Sequence, residues 1–296
     1  MNQYPFSMWR EIARAIDMPT DAISAAEPIA PVFLEKERFS LIALTEAVRE
    51  NRHKAQTFDM IYAMCDRQSI DRDAGMMTAA LLIAPCFHAD YTAHGLSDEI
   101  YIDSMRDIKV WSVTCYENRG HWGLYQFGWV HNFFTREILR LGRLEFHQIA
   151  YEGPTFVCGD TTVEKGDRVI NIHIPADGPF PEEEVMDAFR RAYDFFGQTG
   201  WAVFHCGSWL LYEGNRAFMK PDSNICRFMD HFHIVASEGR ADCGDLWRIF
   251  GVRDSYAPEE LPRKTSLQKA LAAHIENGGT MGAGLGLFLF DGKTIR

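Results

Sequence analysis

Leu141-Gly142-Arg143-Leu144-Glu145-Phe146-His147-Gln148-Ile149 is the stretch where the hydrophobic period of this chain changes from 3.6 to 2. From Arg143 onward polar and apolar residues largely alternate, the mark of a strand with one buried face. Val169-Ile170-Asn171-Ile172-His173-Ile174 repeats the alternation, and Pro175 stops it. A short loop over 176–180 leads to a helix with Pro181 at its first turn and Glu182, Glu183 and Glu184 behind it. Val185, Phe189, Tyr193 and Phe196 form the stripe that this helix buries. Residues 201–211 and 228–235 read as further strands. Thr265-x-x-Gln268 is a capping box for a helix that Gly278-Gly279 ends, and 285–290 is a closing strand. The order is neither a repeat nor a doubly wound sheet. It predicts an α+β domain over 141–296, with a mixed, largely antiparallel sheet and helices.

Upstream of Leu141 the spacing is helical. Trp9, Ile12, Ala13 and Ile16 recur at 3.6-type intervals, as do Leu41, Leu44, Ala47 and Val48. Pro19 and the stretch 28–31 interrupt the pattern. Gly95 closes one helix, and Ser97 with Asp98 and Glu99 opens the next, a cap followed by carboxylates at the positive end of the dipole. Trp122, Tyr125, Trp129 and Phe133 fall on one helical face and read as packing aromatics. The expectation is a helical domain over 1–140.

Composition sets the class. Of 296 residues 47% are hydrophobic and 24% charged, with 21 Phe available for a core. Net charge is -11 and no run of Lys and Arg exceeds two or three residues, which argues against nucleic acid and anionic membrane as partners. The seven cysteines are odd in number and contain no C-x-x-C pair, as expected of reduced thiols in a cytoplasm. The first residues lack the apolar core of a secretory signal, and the longest apolar stretch, 76–87, is shorter than the roughly 20 residues of a membrane span. A soluble, cytoplasmic protein acting on a small molecule is the resulting expectation.

Strand alternation assigns faces to the groups that can do chemistry. Asn171 and His173 point away from Ile170, Ile172 and Ile174. Phe204, Cys206, Ser208 and Leu210 share a face opposite His205, Gly207, Trp209 and Leu211. His173, at a strand end before a loop, is a candidate base or a histidine bound to a carbonyl. Arg143 and Glu145, two apart, form a surface pair or a buried polar couple. Pro221-Asp222-Ser223-Asn224 reads first as a turn that caps the next element. His231-Phe232-His233 sets two imidazoles on one strand face, with Cys226 and Cys243 not far off, but the spacing fits no closed zinc pattern and no metal is expected. Gly282-Ala283-Gly284-Leu285-Gly286 leads into a strand, the wrong context for a phosphate loop. His173, Cys206 and Ser208 are expected to border one cavity, with Asp222, Ser223 and Asn224 at its rim.

Five blocks carry a resemblance: 141–146 (LGRLEF), 173–175 (HIP), 206–211 (CGSWLL), 221–225 (PDSNI) and 261–268 (LPRKTSLQ). Together they resemble a bacterial family of GNAT-like acyltransferase proteins, built from an N-acyltransferase N-terminal domain and a GNAT-like C-terminal domain. The resemblance implies an acyl-CoA-dependent N-acyltransferase acting on a small amine, with acetyl-CoA or another acyl-CoA as donor. It implies His173 as the base, with Glu145 as second choice. Trp209, Asp222, Ser223 and Asn224 lie on the substrate side, and Ile174 and Gly178 on the cofactor side. The Arg/Gln-x-x-Gly-x-Gly/Ala loop of acetyltransferases is replaced here by Pro179, Pro181 and three glutamates. Two other readings stay open. Cys206 is a thiol nucleophile of an amidase or thioesterase, or the fold binds a ligand or partner without catalysis.

Overall fold

The computed structural model describes residues 4–51, 54–240, 245–251 and 257–296. The chain forms two compact units, the first from residues 1–141 with 175–177, the second from 142–174 with 178–296.

The first unit is built on its most apolar stretch. Asp71 accepts from the Ala74 amide and so caps α6 (Arg72–Ile83), which runs into a 3-10 turn at Ala84–Phe87. Every residue from Gly75 to Phe87 is buried, so this helix is apolar all round because helices surround it. They are α1 (Trp9–Ala15), α2 (Thr20–Ala26), α3 (Ile29–Lys36), α4 (Arg38–Arg49), α5 (Lys54–Gln68) and α8 (Asp98–Arg119). Fully burying Leu81 and Leu82 contributes about 1.5–3 kcal/mol each, and truncating either to Ala costs about 2–5 kcal/mol. α7 (His88–Ala93) ends before Gly95, whose φ is +74°, and Ser97 caps α8 by accepting from the Ile100 amide. Gly120, with φ +76°, ends α8, and α9 (Phe127–Phe134) begins after a loop. The expected aromatic face is therefore split. Trp129 and Phe133 share α9, whereas Trp122 stacks on Tyr116 from the loop and Tyr125 meets Trp111. The unit closes on β1 (Leu139–Leu141) and holds Asp177 through a 2.6 Å ion pair with Arg140.

The second unit contributes β2 (Leu144–Ala150), the hairpin β3 (Phe156–Cys158) and β4 (Thr161–Val163), and β5 (Arg168–His173). After them come α10 (Glu182–Phe195), β6 (Ala202–Ser208), α11 (Asn224–Asp230), β7 (His233–Arg240), α12 (Leu246–Phe250), α13 (Ser266–Glu276) and β8 (Met281–Phe290). Five strands lie in the order β2, β5, β6, β8, β7. Only β5 and β6 are parallel, with α10 as their crossover, and the other pairs are antiparallel. This is the α+β, mixed and largely antiparallel sheet that the periodicity predicts. Thr265 and Gln268 form the expected capping box of α13.

In the first unit the loop expected over 28–31 is helical from Ile29, with Pro31 in the first turn of α3 where its missing N–H costs nothing. In the second, three expected elements differ from the sequence reading. β6 gives way at Trp209 to a 3-10 turn, because the Ser208 hydroxyl accepts from the Leu210 amide and caps it. Residues 228–230 are helical, because Ser223 accepts from the Cys226 amide and starts α11. The strand expected there begins only at His233. The glycine run lies inside β8 rather than before it. A Cβ at Gly284 would stand 2.0 Å from the Leu211 carbonyl oxygen, and one at Gly286 2.8 Å from Phe232, so these glycines let the neighbouring chain close on the strand.

The sheet has two unlike faces. On one, Phe204, Phe288 and Phe290 meet Phe189 of α10, Phe146 meets Phe204, and Phe204 and Phe288 stack at 5.1 Å. The other face is covered at one end by the hairpin, where Tyr151, Phe156 and Val163 pack on Val169 and Leu287. Near its other end Met281 packs with Leu246 and Phe250 of α12 and Leu271 of α13. Between these two covers the residues are polar.

Candidate active site

Register builds this polar patch. Glu145 lies opposite His173 and His147 opposite Asn171 across β2 and β5, and Asn171 lies beside His205 across β5 and β6. Residues paired in this way point to the same side of a sheet. Glu145, His147, Asn171, His173 and His205 therefore form one cluster drawn from three strands. The Asn171 carboxamide is its centre. Its Oδ1 is 2.6 Å from His205 Nδ1, and its Nδ2 is 3.0 Å from both His147 Nε2 and His173 Nε2. The two Nε2 atoms are 3.1 Å apart. Tyr151 sets the edge of its ring against His205, with its hydroxyl donating to the Pro154 carbonyl.

Burial decides the charge state. It pushes His173 down to about 3, helped by positive charge at His147, His205 and Arg248. It pushes His205 down to about 4, helped by His147. At neutral pH both rings are neutral and hold lone pairs. Glu145 is buried beside them, 2% exposed.

Next to the cluster the sheet opens. Parallel pairing between β5 and β6 stops at Asn171 and His205, although the strands run on to His173 and Ser208. Among the described residues, β5 and β6 do not pair as strands beyond that point. Gly207, exposed on the imidazole side, adds no side chain to it. Ligands of open α/β sheets bind at such carboxyl ends of parallel strands.

A family model described as the GNAT-like C-terminal domain matches residues 138–288, and one described as the N-acyltransferase N-terminal domain matches residues 9–135. The chain belongs to this GNAT-like acyltransferase family. Solved structures agree on the fold. An acyltransferase in complex with decanoyl-CoA and teicoplanin matches with TM-score 0.73 and 18% identity, over 94% of this chain and 86% of that one. An acyltransferase mutant in complex with octanoyl-CoA gives TM-score 0.72 and 17% identity, over 95% and 87%. Comparison with curated proteins gives no match.

In this GNAT-like sheet the residues expected to share a cavity do not. Cys206 and Ser208 alternate with His205 and Gly207, which puts them on the phenylalanine face, away from His173. Cys206 is fully buried there, and burial pushes its thiol up to about 12. A protonated, inaccessible thiol is no nucleophile, so the amidase or thioesterase reading falls. Ser208 and Ser223 spend their hydroxyls on caps. Asp222 is exposed, and Asn224 opens α11, whose Phe228 reaches Phe288 through Phe232 on the phenylalanine side. Trp209 packs against the α12–α13 cluster. Ile174 is half-buried just after His173, and the Gly178 and Pro179 carbonyls accept from the buried guanidinium of Arg143.

His231 ends α11 and His233 begins β7, so the two do not share a strand face, and Cys243 lies outside the described residues. In the first unit Asp73, Cys115 and His121 come within 4.8 Å of one another. Arg119 binds the same Asp73 oxygen as His121, so a guanidinium stands where a metal would. The members of the cluster that sequence reasoning passed over as candidates are His147, Asn171 and His205. Each sits at the polar phase of an alternating strand, but only register shows that the three phases meet.

Proposed function

We propose that this protein transfers an acyl group from an acyl-CoA to the nitrogen of a small amine, with His173 as proton acceptor and Glu145 as the carboxylate that flanks it. The gap between β5 and β6, edged by neutral imidazoles, is the observation that carries the reading. An extended, amide-bearing chain such as the pantetheine arm suits a pair of strands that have stopped bonding each other. Backbone N–H groups of residues 172–173 and 206–208 on the gap side are the donors on hand for that arm and for a carbonyl oxygen gaining charge. The acyl-CoA supplies the activated thioester. His173 holds the proton that leaves the amine as the new N–C bond forms, a role worth about 10²–10⁴ in rate for a well-placed base. Likeness to structures solved with octanoyl- and decanoyl-CoA supports testing donors longer than acetyl-CoA.

One observation favours a second reading, binding without catalysis. The start of α10, where a diphosphate meets free N–H groups and a positive dipole, carries Glu182, Glu183 and Glu184, and Pro181 caps it with no side-chain bond. Glu182 is paired with His231 at 2.9 Å, while the other two are exposed.

Free thiol release from acetyl-, octanoyl- and decanoyl-CoA, followed with and without a panel of primary amines, separates the two. Amine-dependent release that falls about 10²–10⁴-fold in His173→Gln is the expected result. Binding of the donors with no release in any mixture would establish the second reading instead. No binding at all would remove both.

A further inference from the structure

We propose that Asn171 is a positioning residue that sets the tautomers of His147, His173 and His205 together, and so makes the two Nε2 atoms of His147 and His173 one shared proton acceptor. The inference deepens the acyltransferase reading and rests on it only for the source of the proton.

Counting hydrogens fixes the assignment. A carboxamide offers one acceptor oxygen and two N–H donors. The Asn171 oxygen faces His205 Nδ1 at 2.6 Å, so His205 must carry its proton on Nδ1. The two amide hydrogens face His147 Nε2 and His173 Nε2, each at 3.0 Å, so each of those nitrogens must offer a lone pair. A neutral imidazole that accepts at Nε2 keeps its proton on Nδ1. One side chain thus fixes three rings, and no ring changes tautomer unless the amide turns and changes all three.

The two lone pairs then face each other across 3.1 Å, an ordinary hydrogen-bond length with no proton in it. A proton delivered there is donated by one ring and accepted by the other, a charge-assisted bond spread over two imidazoles. In acyl transfer the balance is complete. The amine nitrogen bonds the thioester carbonyl carbon and its N–H bond breaks toward His173 Nε2. The C–S bond breaks, and the departing thiolate takes the same proton to leave as the CoA thiol. The amide hydrogens of Asn171 point at the nitrogens that would be protonated, so the proton is held weakly enough to be passed on.

Among the described residues, the groups that face the pair include Glu145 on β2, Asn171 beside them on β5, His205 on β6 with Tyr151 against it, and Arg248 on α12. His205 in its charged form and Arg248 oppose the added charge. Lowered values at His173 and His205 are consistent with the opposing groups and burial prevailing.

Long-range proton–nitrogen correlation spectra of the full-length protein labelled with 15N-histidine read the tautomers directly, with no substrate present. The expected wild-type spectrum at neutral pH has lone pairs at Nε2 of His147 and His173 and a proton at Nδ1 of His205. Asn171→Asp keeps the shape but replaces two donors by acceptors. It should put protons on both Nε2 atoms and raise the imidazole pKa values by about 1–3 units, moving the acid limb of the rate profile by the same amount. A proton on either Nε2 in the wild type would overturn the proposal even if the variant did not fold, as would a folded Asn171→Asp protein with unchanged tautomers. The expected tautomers without amine-dependent thiol release would sink the proposed function alone, leaving the role of Asn171 standing.

Discussion

The two faces of one sheet use the same strands for opposite ends. Phe146, Ile172, Phe204 and Phe288 alternate along their strands with His147, Asn171, His205 and Leu287. Toward α10 the apolar set buries its rings and fixes the register, since a slip of one residue would turn every phenylalanine to the other side. That same register is what brings three imidazoles around one amide. The polar cluster is costly to bury and does nothing to drive folding, yet it inherits its geometry from the apolar face. Stability and chemistry are separated by a single residue step.

The largest test of this comparison is Phe204→Ala. Phe204 is fully buried among Phe146, Phe189 and Phe288, and its truncation should cost about 3–5 kcal/mol, read by urea unfolding. Loss of less than about 1 kcal/mol would mean that the phenylalanine face does not set the fold.

His131 of α9 sharpens the contrast from the first unit. It is fully buried like the phenylalanines, and neither ring nitrogen has a hydrogen-bond partner among the described residues. Burial, then the charge of Lys54, lowers it from 6.5 to about 4. Because the folded value lies below the unfolded one, the unfolded state binds more protons between the two. The stability linked to this ring is complete above pH 6.5 and is lost as pH falls toward 4, by about 3 kcal/mol. His131→Leu should flatten that part of the stability profile, measured by urea midpoints from pH 7 to 4. An unchanged slope would show that the ring is already solvated or paired.

Cys206→Ser puts a hydroxyl among phenylalanine rings and should cost about 1–3 kcal/mol while leaving acyl transfer intact. In the folded wild type, alkylation at Cys206 should be far slower than in urea. Rapid native labelling, or loss of activity without loss of stability, would return Cys206 to the site. The smallest effect is expected at α10. Replacing Glu182, Glu183 and Glu184 with Gln removes a repulsion that solvent already screens, so CoA affinity should rise only about 2–10-fold, more at low salt. Equal affinities by calorimetry would mean that the diphosphate docks away from this helix.

Much of the architecture was legible in the sequence because period and caps are local signals. The change of period at 141–143, the alternation over 169–174 and the Thr265–Gln268 box all read from a few adjacent residues. The helical start of α11 was readable too, since Ser223 sits among cap residues, but the apolar run after it reads equally as strand. The site was legible by residue and not by grouping. His173 and Glu145 stand out in their strands, and they do lie opposite each other. Whether Cys206 or His205 joins them depends on parallel register between β5 and β6, which spacing in sequence does not encode. The error at Cys206 and the omission of His205 have this cause, and the omission of His147 has its counterpart in the antiparallel register of β2 on β5.

The central claim is that the opening between β5 and β6, on the imidazole side, receives an acyl-CoA. Backbone hydrogen exchange of the whole protein with and without octanoyl-CoA tests it most directly. The account predicts new protection at residues 172–173 and 206–208, with the amides on either side of the Thr265–Gln268 cap unchanged. Protection confined to other segments, or no change at saturating octanoyl-CoA, would contradict it.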